Sequence, residues 1–275
     1  MKIQYLGTAA AEGWPGIFCK CRVCREALRL GGKNIRTRSQ AVVDDAILID
    51  LPPDTYMHMV TYGLDVPSIR TLIITHSHQD HWYPEELMLG REGFSGGKKE
   101  ILDVYGSGAV YEGLHKILVE TGKFADSLPP VAFHVVREFQ PFYTEGYEVI
   151  PLKAAHSPRE NCFIYIIKKE GKTLLYGNDT GYFPEETWEF IKGYRFGLVS
   201  LDCTLQKTRL ETGHMGIPNN VDVAERLGKM GCVDGDTKYV LTHFSHNGGL
   251  LHGEMEKNAA EHGFCAAYDG MAVEF

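Results

Sequence analysis

The stretch His76-Ser77-His78-Gln79-Asp80-His81 constrains this chain more than any other. It places four metal-competent side chains within six residues, directly after Leu72-Ile73-Ile74-Thr75, an apolar, partly β-branched run that reads as a buried strand. Crowding imidazoles at a strand end gives a soluble domain no stability, so packing does not explain the cluster. Strand alternation sends His76, His78 and Asp80 towards one side, and the following turn can bring His81 round to a second centre. Neutral imidazoles with a carboxylate suit Zn(II), Mn(II) or Fe(II) rather than Ca or Mg.

Three further strand-like runs end in a ligand. Val149–Ala155 leads to His156, Leu174–Asn178 to Asp179, and Tyr239–Thr242 to His243. Each is weak alone: a lone His after a strand caps or decorates a surface, and a lone Asp in Asn-Asp-Thr-Gly forms a turn. Together with the first cluster they supply the number of ligands that a two-metal site needs.

Composition limits what such a site serves. An apolar content of 44% and a charged content of 23% are those of an ordinary globular protein. No apolar run approaches the roughly 20 residues that span a bilayer. Met1–Gly7 reads as a strand rather than a signal peptide, so the expected location is cytoplasmic, with no membrane partner. A net charge of −8 argues against nucleic acid as a partner. It leaves room for a small anionic substrate, because bound divalent metals reverse the local field.

Seven cysteines are present, and three crowd into Cys19-Lys20-Cys21-Arg22-Val23-Cys24. In a chain of this character the spacing points to metal ligation rather than a disulfide frame. A structural zinc takes four ligands. His246, three residues after His243, can supply the fourth if His243 points elsewhere, giving a Cys19, Cys21, Cys24, His246 site that pins a loop near residues 16–30. Cys162, Cys203, Cys232 and Cys265 read as buried, inert thiols.

The chain carries no low-complexity linker and no internal repeat, and its strands and helices intermix. Strands are expected at Lys2–Leu6, Ala41–Asp50, Ile69–Thr75, Ile101–Tyr105, Glu148–Ala154, Cys162–Lys168, Thr173–Tyr176, Gly197–Leu201 and Lys238–Thr242, with a closing segment at Cys265–Phe275. Glu170-Gly171 reads as a hairpin turn. Helices are expected at Asp54–Tyr62, from Pro84, from Ser107 to Glu120, from Pro184 to Lys192, at Val221–Met230 and near Glu254–Glu261. The pattern is α+β: two sheets covered by helices, in one domain of 275 residues.

The series HSHQDH, a distant His, Asp in GNDTG and a late His resembles the metallo-β-lactamase-fold hydrolases, over essentially the whole chain. The resemblance implies a four-layer αββα sandwich with the site at one edge between the sheets. It implies that His76, His78 and His156 hold one divalent metal, that Asp80, His81 and His243 hold a second, and that Asp179 bridges them. A bridging hydroxide would be the nucleophile, oriented by Asp80. The diiron oxygen-reducing relatives carry an acidic residue where His78 stands, so its presence favours hydrolysis over redox chemistry. Asp202 and Gly213-His214-Met215-Gly216 resemble a segment of phosphodiesterase and tRNA-processing members. There His214 would donate a proton to the leaving alkoxide or bind a phosphate oxygen, held by Asp202.

The cysteine loop with a late HxxH sharpens the resemblance to the cyclic-phosphodiesterase branch associated with carbon–phosphorus lyase operons. The expected function is hydrolysis of small, cyclic-ribose-type phosphodiesters by two active-site metals (Zn, Mn or Fe) beside one structural zinc. A homodimer is a family-level expectation. The competing readings are a tRNA 3′-processing endonuclease, a thioester or lactone hydrolase, and a non-catalytic binding protein of a cofactor pathway. Arg36 and Arg38 are candidates to orient a phosphate or, equally, to form surface salt bridges; Trp14, Phe18 and Trp82 are candidates for a substrate rim, with core packing the stronger reading for any one of them.

Overall fold

In the computed structural model, alternate residues of the apolar runs feed different cores. The structure describes residues 1–96, 100–122, 128–210 and 212–275. The first sheet holds β1 (Lys2–Gly7), β2 (Gln40–Val43), β3 (Ile47–Ile49), β4 (Thr71–Ile73), β5 (Leu102–Gly106) and β6 (Val131–Val135), in that spatial order. The second holds β7 (Phe142–Thr144) through β8 (Tyr147–Lys153), β9 (Phe163–Lys169), β10 (Lys172–Gly177), β11 (Leu198–Asp202), β12 (Lys238–Thr242) and β13 (Cys265–Ala266). The final strand, β14 (Met271–Glu274), returns to the first sheet and pairs antiparallel with β1.

Ala41, Val43, Ile47, Ile49 and Ile73 face inwards and meet Val149, Tyr165, Ile167, Leu174 and Tyr176 of the second sheet. Their neighbours Val42, Leu48, Leu72 and Val104 face outwards, as do Ile150, Leu152, Ile164, Ile166 and Leu175 on the other side. Both faces of each sheet are therefore apolar and require a covering layer. Helices α1 (Arg22–Leu30), α4 (Glu185–Phe190), α5 (Ile217–Lys229) and α6 (His252–Ala260) cover the second sheet through Val23, Trp188, Val223, Leu227 and Met255. Helix α3 (Gly108–Gly122) covers the first through Val110 and Leu114, and α2 (Thr55–Tyr62) tethers to it through His58 Nδ1 and Gln40 Oε1 at 2.6 Å. The four-layer αββα sandwich expected from the sequence is the fold. Among the described residues no helix is long and apolar enough to cross a membrane.

Several expected elements differ in detail. Ala41–Asp50 is two strands, because Asp44 and Asp45 both take positive φ and turn the chain back. The helix from Pro84 is a 3-10 helix, Pro84–Gly90. The helix expected at Val221 starts four residues earlier, with Pro218 in its first turn and the Gly216 amide donating to Asn219 Oδ1 at 3.2 Å. The closing segment splits between the sheets, turning at Gly270, whose φ is +88°. The Glu170-Gly171 hairpin stands as read, with Lys169 opposite Lys172.

In each sheet the half that runs from the middle strand to one edge is parallel: β3 to β6 in the first, β10 to β13 in the second. Their carboxyl ends open on one edge of the sandwich, where chain leaving a strand is free to present side chains.

Candidate metal centre

The segment after β4 leaves the strand at Ile74, so alternation no longer decides where its side chains go. It curls into a turn closed by the His81 and Trp82 amides on the His78 carbonyl, at 2.9 and 2.8 Å. Ser77 ties the turn down by donating from its amide and hydroxyl to Glu160, at 3.0 and 2.7 Å. Asp80 therefore lies with His81, not with His76 and His78 as strand alternation requires. This corrects the alternation reading and agrees with the grouping that the family resemblance implies.

His76, His78 and His156 form one group: His76 Nε2 lies 2.9 Å from His78 Nδ1, and His156 Nε2 lies 3.1 Å from the same atom. His156 Nδ1 is 3.0 Å from the Gly213 carbonyl, which fixes the proton on Nδ1 and turns the Nε2 lone pair into the group. Asp80, His81 and His243 form the second group, with His81 Nε2 at 3.2 Å from both Asp80 Oδ2 and His243 Nε2. Asp179 stands between them, its Oδ2 at 3.4 Å from His156 Nε2, 3.6 Å from His243 Nε2 and 3.9 Å from His81 Nε2. Imidazole nitrogens converging at such distances repel one another unless protons or cations lie between them. The donor set of each group suits a divalent transition metal, so the residues fit the ions that the fold implies.

The surrounding side chains act on the ligands rather than on open space. Asp50, buried at positive φ, takes the Thr75 amide at 2.8 Å and His81 Nδ1 at 2.7 Å. His81 is thereby oriented with Nε2 inward. His243 is also at positive φ, and the Thr204 hydroxyl lies 2.8 Å from both its Nδ1 and its carbonyl. Sequence reasoning assigned no role to Asp50 or Thr204. The signal for Asp50 was an acid closing the apolar run Ile47–Ile49; Thr204 reaches His243 only through tertiary structure.

Asp202 is fully buried and held by the Met215 amide at 2.7 Å and the Thr204 amide at 3.1 Å. His214 Nδ1 lies 3.4 Å from Asp202 Oδ2 and 2.7 Å from Asp179 Oδ1. Asp202 is the partner expected to hold the ring; Asp179 is the nearer one.

The electrostatics follow from burial set against these pairs. Burial and the neighbouring His81 lower His76, and burial with His156 lowers His78. Burial opposes protonation of His81, His214 and His243 as well. There the carboxylates win, raising His81 well above its usual value, His214 to about 11 and His243 to about 9. Burial likewise penalises the charged forms of Asp80 and Asp179, yet the adjoining imidazoles hold both well below the usual carboxylate range.

His78 and His156 of the first group, Asp80 and His243 of the second, and Asp179 line a polar cavity of about 430 Å³ that also includes His214, Thr204, Glu12, Ser245 and Asn247. A larger, mostly apolar cavity of about 670 Å³ lies on the outer face of the first sheet and contains none of the clustered His or Asp residues. Arg36 is buried at 3% exposure, bound to Thr8, the Ala267 carbonyl and His252. Arg38 pairs with Asp54 at 3.0 Å. Neither lines the polar cavity, so of the two readings the salt bridge holds for Arg38 and the phosphate-orienting one for neither. Trp14 and Trp82 are core residues, and Phe18 projects into solvent at 96% exposure.

The cysteine loop makes a separate cluster. His246 Nδ1 lies 3.8 Å from Cys19 Sγ and 3.7 Å from Cys21 Sγ, and Cys24 Sγ completes the group. A tetrahedral zinc with ordinary bond lengths separates sulfur and nitrogen ligands by about 3.6 Å. The four residues brought together are those that the spacing predicted. Of the remaining thiols, Cys162, Cys203 and Cys232 are buried as expected, but Cys265 is exposed at a sheet edge.

A family profile described as a beta-lactamase superfamily domain matches residues 46–244, the span that carries His76 to His243. The chain belongs to that superfamily. Its fold is the metallo-β-lactamase fold, and family and fold are those of metal-dependent hydrolases. Among solved structures it is similar to a diphosphatase from the PhnP family, with a TM-score of 0.75, 23% identity and coverage of 100% of this chain and 97% of that one. It is similar to Zn(2+)-bound PqqB from Methylobacterium extorquens, with a TM-score of 0.74, 18% identity and full coverage of both chains. Human tRNase Z, short form, aligns at a TM-score of 0.67 and 18% identity, over 100% of this chain and 99% of that one. Among curated relatives, coenzyme PQQ synthesis protein B of Acinetobacter baumannii is 25% identical, covering 100% of each protein. An octanoyltransferase of Porphyromonas gingivalis is 24% identical over 98% of this chain, which spans about half, 51%, of that protein.

Proposed function

We propose that this superfamily member is a phosphodiesterase for small, cyclic-ribose-type phosphate esters. His76, His78 and His156 would hold one divalent ion, and Asp80, His81 and His243 a second, with Asp179 shared. Ions so held lower the pKa of bound water and neutralise charge on a phosphoryl oxygen. Asp80 orients the attacking water by accepting its hydrogen bond. The observation that carries the reading is His214, which opens into the cavity beside the His76, His78 and His156 group. Asp179 and Asp202 face its Nδ1 and keep a proton on the ring. Nε2 is then available to give a proton to the leaving alkoxide, a role that hydrolysis of a diester requires. Asp202 is a positioning residue that reaches the reaction through His214 and His243.

The cysteine cluster would hold one structural zinc, and reduced thiols throughout the chain fit a cytoplasmic setting. The net charge of −8 weighs against tRNA as substrate. The complete ligand set weighs against a non-catalytic carrier.

A second reading, acyl thioester hydrolysis, draws on the relative named octanoyltransferase. One assay separates the two. Zn(II)- or Mn(II)-loaded protein is offered bis(4-nitrophenyl) phosphate, 2′,3′- and 1,2-cyclic ribose phosphates, and an octanoyl thioester. Turnover of diesters that falls about 100-fold or more in His214→Ala supports the proposal. Turnover of the thioester alone, or of no diester in a broad panel, sinks it.

A further inference from the structure

The wall of the polar cavity carries one charge that the proposed chemistry does not use. Glu12 lines it, on the segment that follows β1, where the Ala10 amide donates to the Phe244 carbonyl at 3.1 Å. Glu12 Oε1 takes the Ser245 hydroxyl at 2.5 Å and lies 3.6 Å from His246 Nε2. Both anchors are themselves fixed. Ser245 Oγ accepts the Asn247 amide at 3.1 Å, and the opposite edge of the His246 ring faces Cys19 and Cys21. A metal in the cysteine cluster would leave Nε2 of His246 protonated and aimed at the carboxylate. Glu12 thus spans the two clusters, with one oxygen engaged by protein and the carboxylate partly open to the cavity.

Among the described residues, the cavity lining contains no Lys or Arg. Arg38 touches its edge by donating from Nε to the Ala11 carbonyl at 2.9 Å, but its Nη1 is spent on Asp54 at 3.0 Å. The carboxylates of Asp80 and Asp179 sit among imidazoles and proposed metal sites. Glu12 has a hydroxyl and the edge of one imidazole, so much of its charge is presented to whatever occupies the cavity.

We propose that Glu12 is a specificity-determining residue that selects the uncharged, hydroxyl-bearing arm of a phosphate ester and rejects an arm with a second anion. The inference rests on the diesterase reading for the reacting end of the ligand and adds the chemistry of its other end. A ligand hydroxyl donates to the free carboxylate oxygen, whereas a carboxylate or second phosphate there meets a fixed like charge with no Lys or Arg side chain of the lining beside it. For unit charges about 6 Å apart in a partly wet cavity, the repulsion is worth about tenfold in affinity.

Calorimetric binding to the Zn(II)-loaded protein tests this without turnover. The probes are glycerol 1-phosphate, with a hydroxyl-bearing arm, and 2-phosphoglycolate, with a carboxylate arm. The native protein is expected to prefer glycerol 1-phosphate about tenfold, and Glu12→Gln to reduce the preference to less than about threefold, chiefly by tightening 2-phosphoglycolate. Glu12→Asp keeps the charge and must keep the preference, so its loss overturns the charge argument even if Glu12→Gln does not fold. Equal affinities in the native protein, no binding of either probe, or an unchanged preference in Glu12→Gln also overturn it. Bis(4-nitrophenyl) phosphate hydrolysis is measured on the same samples. A Glu12-dependent preference without turnover sinks the diesterase reading alone; turnover without the preference sinks only the role of Glu12.

Discussion

Two clusters of ligating side chains lie three residues apart at His243 and His246, yet they are built on opposite plans. The histidine and aspartate cluster gathers its members from four strand ends in both sheets and opens into a cavity of about 430 Å³. Asp50, Thr204 and the Gly213 carbonyl orient its rings. The cysteine cluster takes three of its four members from one short loop, and none of its four residues lines that cavity. A site that keeps room for water and substrate is suited to catalysis, and one whose protein ligands fill a tetrahedron is suited to holding structure. The contrast supports the proposed reading, with chemistry at one cluster and loop anchoring at the other.

Substitutions that separate chemistry from folding probe this contrast with the largest expected effect. His81→Ala should lower diester turnover by at least about 1,000-fold while circular dichroism keeps the native signature. A retained rate would break the assignment.

Cys21→Ser should do the reverse. Elemental analysis is expected to find the loss of about one zinc, with earlier thermal unfolding, because metal binding free energy becomes folding free energy at such a site. Unchanged zinc content would remove the structural half of the contrast.

Part of this was legible in the sequence. HSHQDH and the strand-end His156, Asp179 and His243 could be read because a carboxyl strand end is a local signal, and Cys19, Cys21 and Cys24 because their spacing is local. The fourth member of that cluster, His246, was legible from its offset to His243. What escaped depended on chain reversal or on contacts across the fold. Asp80 could not be grouped by alternation, because the turn at His78 ends the strand geometry before it. Asp50 meets His81 from a neighbouring strand, and Glu12 meets Ser245 from 233 positions away. Arg36 looked available because sequence does not reveal that Thr8, Ala267 and His252 enclose it.

A smaller effect sharpens the role of the orienting shell. Asp50→Asn should retain the fold but weaken metal binding at the His81 site by about 10- to 100-fold, since an uncharged amide holds the His81 ring less firmly than the carboxylate does. Competitive chelator titration reads this directly, and native affinity would show that His81 needs no such support.

The smallest effect concerns protons. In the metal-free protein the carboxylates raise His243 to about 9 and His81 in the same direction, so the facing pair carries an extra proton at pH 7. That contribution to the metal-free fold is present below the ordinary histidine value and is lost as pH rises through the folded values. Metal ligation needs the neutral rings, so metal affinity should rise with pH towards about 9 and binding at pH 7 should release protons. Calorimetry in buffers of different ionisation enthalpy measures the release; none at pH 7 would contradict the proton assignment.

The most direct test measures metal content and bis(4-nitrophenyl) phosphate turnover together in native protein and His81→Ala. A catalytic cluster beside a structural one predicts that His81→Ala keeps the cysteine-bound zinc and the fold while turnover collapses. Native turnover in His81→Ala, or loss of the cysteine zinc along with the fold, would contradict the division of labour between the two clusters.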